Sequence, residues 1–222
     1  MRFYRSWNHG CLIMQSKGNE LITLAQRIRA MSQTALTYSS NDYEIDRSKE
    51  LIEISDRIVS LVSGVSEEEI NACYSLTKEY ATPKVDIRAV IFNDRDEVLL
   101  VKEQADGRWS LPGGWSDVGY TPREVVVKEA KEETGFDVRV VRLLAVMDKR
   151  CHNHPASSLY IYKMCFLCEI TGDGDELTFD ILDRGFFALD NLPPLSLDRT
   201  LPEQIELLDR LRRNPESDIY CD

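Results

Sequence analysis

Residues 113–136 limit what this chain can fold into more than any other stretch: Gly113-Gly-Trp-Ser-Asp-Val-Gly-Tyr-Thr-Pro-Arg-Glu-Val-Val-Val-Lys-Glu-Ala-Lys-Glu-Glu-Thr-Gly-Phe136. Glycines open and close it, and the middle reads as a short helix. Thr121 and Glu124 form a capping box around Pro122 at the first helical position, and Gly135 stands where a left-handed C-cap belongs. Glu129, Glu132 and Glu133 fall at i, i+3 and i+4, so they share one helix face. Val126, Val127 and Ala130 are expected to point away from them, toward a core.

Three carboxylates on one face repel each other. A solvated face normally interleaves lysines to relieve this, but here Lys128 reaches only Glu132, at i+4. A hard divalent cation, Mg²⁺ or Mn²⁺, resolves the clash because it takes carboxylate oxygens and polarises phosphate. The glycine turn allows close backbone approach, and the Gly114 carbonyl is a candidate further ligand.

At fixed spacing the stretch resembles the Nudix box, Gly-x5-Glu-x7-Arg-Glu-(apolar)-x-Glu-Glu-x-Gly-(apolar). Gly114, Glu129, Ala130, Glu132, Glu133, Gly135 and Phe136 match. Tyr120 stands in place of the first Glu and Lys128 in place of the Arg. The first departure bears on the number of metal ions; the second keeps the charge but loses the bidentate fork. The resemblance implies an α/β fold, the Nudix α/β/α sandwich with a mixed sheet. It also implies metal-dependent hydrolysis of a pyrophosphate, with Glu129, Glu132 and Glu133 as metal ligands and catalytic groups.

The chain has 222 residues, 43% of them apolar, enough for one or two domains with a core. Its net charge of −11 argues against a nucleic-acid groove, though not against a small phosphorylated substrate met locally by metal and a few basic groups. No apolar run approaches a membrane span, and the N-terminal residues lack a signal-peptide core, so a cytoplasmic protein is expected. Six scattered cysteines suit a reducing compartment. Cys165 and Cys168 lie within a strand pattern that turns them to opposite faces, which disfavours zinc. Cys151-His-Asn-His154 reads as a surface loop.

Along the chain, residues 1–18 are expected to be a loose tail. Helical periods follow over Glu20–Thr37, from Asn41 or Asp42 to Gly64, and over Ile70–Tyr80, the last capped by Ser66 and Glu69. These make a helical subdomain over residues 1–80, too small to bury its apolar stripes alone, which predicts a homodimer. The catalytic domain is expected over 81–222. Its strands read as Val85–Phe92, Val98–Val101, Val138–Val146, Leu159–Ile170 and Phe186–Leu189. A final helix, capped by Thr200 and Glu203, ends near Arg213.

Helices ahead of Tyr80-Ala-Thr-Pro-Lys-Val-Asp-Ile-Arg88, then Asp106-Gly-Arg-Trp-Ser-Leu-Pro-Gly-Gly-Trp-Ser-Asp-Val-Gly119, resemble the bacterial Nudix group with an N-terminal helical domain. That group implies a nucleoside diphosphate joined to a second moiety as substrate, with ADP-ribose placed first and CDP-choline second. A non-catalytic Nudix-fold nucleotide sensor is the alternative of another class. Asp180 resembles the later acidic position that supplies a base in several members, and Glu129 is the competing base. Arg88, Trp109, Trp115 and Lys128 are the candidate substrate-binding residues; each has an ordinary structural reading as ion pair or core packing.

Overall fold

The computed structural model describes residues 17–73, 80–117, 119–172 and 180–222. It divides into two compact units, one running to Lys84 and including Pro155–Tyr160, the other formed by Val85–His154 and Ile161–Asp222.

The first unit holds α1 (Lys17–Tyr38), α2 (Asp42–Ser63) and α3 (Glu67–Cys73). Asn41 caps α2 by accepting the Tyr43 N–H at 2.9 Å, and Gly64, at φ +75°, closes it. Ser66 and Glu69 cap α3 reciprocally, as their spacing predicts. The predicted extension of α3 to Tyr80 falls largely outside the described residues. So does the expected tail, except that Lys17 and Gly18 already belong to α1. The core of this unit is small: Ala25, Val59 and Ile70, with Ile58 against them. Arg29 and Asp56 form a buried ion pair beside it. Leu21, Leu24, Met31, Leu51, Ile54 and Leu61 stay exposed along α1 and α2.

The second unit contains β1 (Lys84–Val90), β2 (Val98–Glu103), β3 (Trp109–Ser110), α4 (Pro122–Thr134), β4 (Asp137–Asp148), β5 (Ile161–Gly172), β6 (Ile181–Phe187), α5 (Pro202–Arg213) and β7 (Tyr220–Cys221). One sheet has the order β1-β5-β4-β7 and the other β3-β2-β6. β4 and β5 are antiparallel, whereas β7 joins β4 in parallel, so the sheet is mixed. Strand alternation divides the core. Ile87, Ala89 and Ile91 pack with Val125, Val126 and Ala130 of α4, while Val90 packs with Leu144, Met147, and Ile205 and Leu208 of α5. Cys165 and Cys168 fall in these two different clusters, as alternation requires.

Several local expectations need correction. Val127 is exposed on α4, and Val125 takes the buried position instead. β6 spans Ile181–Phe187 because it pairs along the whole of β2 rather than at one end. The polar C-terminal stretch includes β7, whose partner lies far away in sequence. Thr200 does not cap α5: its hydroxyl accepts the Leu111 N–H at 3.0 Å, and the Leu201 N–H is taken by Gln204 at 3.2 Å. The segment read as a surface loop is a 3-10 turn, Lys149–Cys151, followed by His154, and both Cys151 and His154 are buried.

Candidate active site

The glycine turn is stitched to β1. Ile87 N–H donates to the Gly114 carbonyl and Ala89 N–H to the Pro112 carbonyl, each at 2.8 Å. Gly113 sits at φ +138°, and a Cβ there would stand 2.0 Å from the Ile87 carbonyl oxygen, so only glycine fits. This fixes the Gly113 N–H toward α4, where Glu133 Oε2 accepts it at 2.7 Å. The capping box at Thr121 and Glu124 and the left-handed Gly135 set the two ends of α4 and thereby the phase of its carboxylates.

Glu133 is 8% exposed. Burial pushes its carboxyl up to about 8; the Arg88 charge and the Gly113 N–H oppose that rise, and the nearby Glu103 and Glu129 carboxylates add to it. Burial also raises Glu129, with Lys128 opposing. Glu129 lies against Gly114, where a Cβ would be 3.0 Å from Oε2. The third carboxylate is turned differently: Glu132 is half exposed, with Lys128 Nζ 3.8 Å away. Lys128 also bonds Asp117 at 2.9 Å and lies 5.7 Å from the Tyr120 ring centroid. The two departures from the box pattern therefore meet in space.

Arg88 is buried, with Nε donating to Asp86 at 2.9 Å and a terminal nitrogen donating to the Leu111 carbonyl at 2.8 Å. Its charge nonetheless reaches Glu133. Trp109 packs edge-on against Phe187 with ring centroids 4.6 Å apart, a core role. Trp115, next to Gly114, is 49% exposed and free to stack on a planar group. Asp180 is exposed; its carbonyl accepts the Gln104 N–H at 2.9 Å. Among the described residues no hydrogen bond or ion pair joins its carboxylate to α4.

Sequence reading missed Glu103 at the end of β2. It accepts from Ser110 Oγ at 2.6 Å, pairs with Arg199 at 3.3 Å and contributes to the charge around Glu133. Nothing in its local sequence marks it; strand pairing places it.

The donor set suits a divalent cation in its chemistry. It consists of hard carboxylate oxygens, two of them on groups whose charged form burial disfavours, beside a turn without side chains. The Gly114 carbonyl keeps one lone pair beyond the bond from Ile87. Among the described residues no group of three or more His, Cys, Asp or Glu is already gathered in metal-holding geometry.

Comparison with known proteins bears on the same residues. Residues 82–211 match the NUDIX domain model, and residues 19–74 match the model described as a UDP-X-like, N-terminal oligomerisation domain. A Bacillus subtilis protein provisionally named ADP-ribose pyrophosphatase YjhB is 39% identical over 198 residues, covering 89% of this chain and 95% of that one. The crystal structure of a UDP-X diphosphatase has 35% identity and a TM-score of 0.60, covering 93% of this chain and all of the other. That of an ADP-ribose pyrophosphatase from Streptococcus suis has 42% identity and a TM-score of 0.58, covering 64% of this chain and all of the other. With the box helix, its glycine turn and the mixed sheet between α4 and α5, the chain belongs to the Nudix hydrolase family, as a pyrophosphohydrolase preceded by an N-terminal helical domain.

Proposed function

We propose that this enzyme hydrolyses the pyrophosphate of a nucleoside diphosphate joined to a second moiety, with ADP-ribose cleaved to AMP and ribose 5-phosphate. One observation carries the chemistry: Glu129 and Glu133 lie against a side-chain-free turn, with burial raising both carboxyls against the pull of Lys128 and Arg88. The names of the Bacillus and Streptococcus relatives favour ADP-ribose. The UDP-X diphosphatase structure, which spans both parts of the chain, favours a uridine diphosphate compound as the second reading.

In this reading Glu129, Glu132, Glu133 and the Gly114 carbonyl hold Mg²⁺ or Mn²⁺. When bound, the cation neutralises phosphate oxygens and activates the attacking water. Gly113 N–H fixes the Glu133 carboxylate in place, and Lys128, tied to Asp117, holds the turn to α4. Arg88 contributes its charge from within the fold, and exposed Trp115 stacks on the base. Glu129 and Asp180 are the candidates for the base that takes the water proton. We further assign 1–80 and 81–222 as the two domains. The exposed apolar residues of α1 and α2 form a homodimer interface, and the enzyme works in the cytoplasm.

A substrate panel compared by kcat/KM with Mg²⁺ tests the substrate. ADP-ribose should lead; a tenfold preference for a UDP-linked compound or CDP-choline would replace it and leave the reaction class intact. Sizing chromatography at micromolar concentration should give a dimer, and a monomer would refute that assignment.

A further inference from the structure

The same unit carries a second buried charged cluster, beyond Arg88. Asp86 pairs with both Arg88 and Lys163, and all three are buried. Lys149, 8% exposed, pairs at 3.4 Å with Asp198, which is itself 61% exposed at its side chain. Arg88 is also faced by Glu133 and Glu103, so Asp86 answers Lys163 while Lys149 has only the rim carboxylate of Asp198 as its ion pair. A buried ammonium answered only by a rim carboxylate is costly unless a further anion reaches it.

His154, 5% exposed, lies in this cluster. Its Nδ1 is 2.6 Å from the Leu197 carbonyl oxygen. A carbonyl only accepts, so Nδ1 carries the hydrogen and the neutral ring presents Nε2 as a bare acceptor. That Nε2 is buried and has no partner among the described residues. Consecutive residues tie the pieces together: Leu197 holds His154 while Asp198 holds Lys149. The ammonium groups of Lys163 and Lys149 both act on the imidazole, and burial above all keeps it neutral. The cluster is therefore short of two things at once: a close anion beside Lys149 and a donor facing Nε2. Phosphate oxygens supply the first and a hydroxyl supplies the second.

We propose that Lys149, Lys163 and His154 form a binding subsite for a phosphorylated sugar group, phosphate oxygens facing the lysines and a hydroxyl donating to His154 Nε2. The inference rests on the pyrophosphatase reading and names the part of the substrate gripped away from α4. Both products of ADP-ribose cleavage carry a sugar phosphate, so ribose 5-phosphate and AMP serve as separate probes.

The chain has 3 histidines, which makes a side-chain ¹⁵N spectrum tractable. Titrating the metal-free full chain with each probe should move the His154 Nε2 resonance, and the probe that moves it identifies the half-substrate bound. Lys149→Met should weaken that probe roughly tenfold or more, as expected for a lost charged hydrogen bond. His154→Gln, which keeps an acceptor, should bind better than His154→Ala. Thermal melts check that each variant is folded. If neither probe moves Nε2 at millimolar concentration, or if folded Lys149→Met binds as wild type does, the subsite is wrong and Nε2 is bonded to a buried water. A wild-type chain that leaves ADP-ribose intact yet shows the shift would overturn the ADP-ribose reading and keep the subsite.

Discussion

The two charged clusters of the catalytic unit are led by opposite charges. Around α4, Glu103, Glu129 and Glu133 meet Arg199, Lys128 and Arg88, yet burial still drives Glu133 up to about 8. Around His154, Lys163 meets Asp86 and Lys149 meets the rim carboxylate of Asp198. Arg88 stands between them, bonded to Asp86 and acting on Glu133. A structural ion pair closes its own charge, as Arg29 and Asp56 do in the helical unit. On the proposed reading a cation completes one cluster and an anion the other, the two partners that metal-assisted cleavage of a pyrophosphate brings together.

The largest effect should come from removing charge at the carboxylate end. Glu133→Gln keeps the shape that accepts the Gly113 N–H and should lower kcat by about a hundredfold to a thousandfold with the melting temperature maintained. Chelator should abolish turnover of the wild type, and Mg²⁺ should restore it.

A structural break should be nearly as visible. Gly113→Ala forces a Cβ to within 2.0 Å of the Ile87 carbonyl oxygen, which backbone must move to relieve. A loss of about 3 kcal/mol or more in denaturant unfolding is expected, far above the usual cost of a surface change.

The clusters should also differ with pH. Glu133 is raised from 4.5 to about 8, so the folded metal-free protein keeps a proton that the unfolded chain has already released. Its contribution to stability is complete below about 4.5 and is lost as pH rises through about 8, on the order of a few kcal/mol. His154 is lowered from 6.5 to about 3, the opposite case. Its contribution is present above 6.5 and is lost as pH falls through about 3. Melts from pH 4 to 9 should show Glu133→Gln flattening the alkaline limb and His154→Gln the acid limb. Identical profiles for the variants and wild type would contradict both burial arguments.

Smaller effects are expected where the box departs from its pattern. Tyr120 and Lys128 are exposed or half-exposed, and pairs of that kind contribute about 1 kcal/mol or less. Tyr120→Glu should change kcat/KM by less than about tenfold. Trp115→Ala should raise KM several-fold without loss of stability, whereas Trp109→Ala should cost about 3 kcal/mol because its ring packs on Phe187.

The box helix was legible because its signals are local: a capping pair, a proline, a terminal glycine and a carboxylate spacing all lie within 24 residues of chain. The opposite faces of Cys165 and Cys168 follow from period two in the same way. What sequence missed depends on distant partners. Glu103 enters the site through β2 pairing, and β7 forms only because β4 offers an edge. Thr200 carries a capping pattern, yet Leu111, 89 positions away, takes its hydroxyl. The segment around His154 looked like a surface loop because its polar residues suit one; tertiary packing buries it with Lys149 and Lys163.

Initial rates of AMP release from ADP-ribose, measured across a Mg²⁺ series for wild type and Glu133→Gln, test the central claim most directly. Wild type should show saturable dependence on Mg²⁺ with no turnover in chelator, and the folded variant should stay at least a hundredfold slower at saturating Mg²⁺. Metal-independent release by wild type, or turnover by folded Glu133→Gln within a few-fold of wild type, would contradict the assignment of α4 as the catalytic centre.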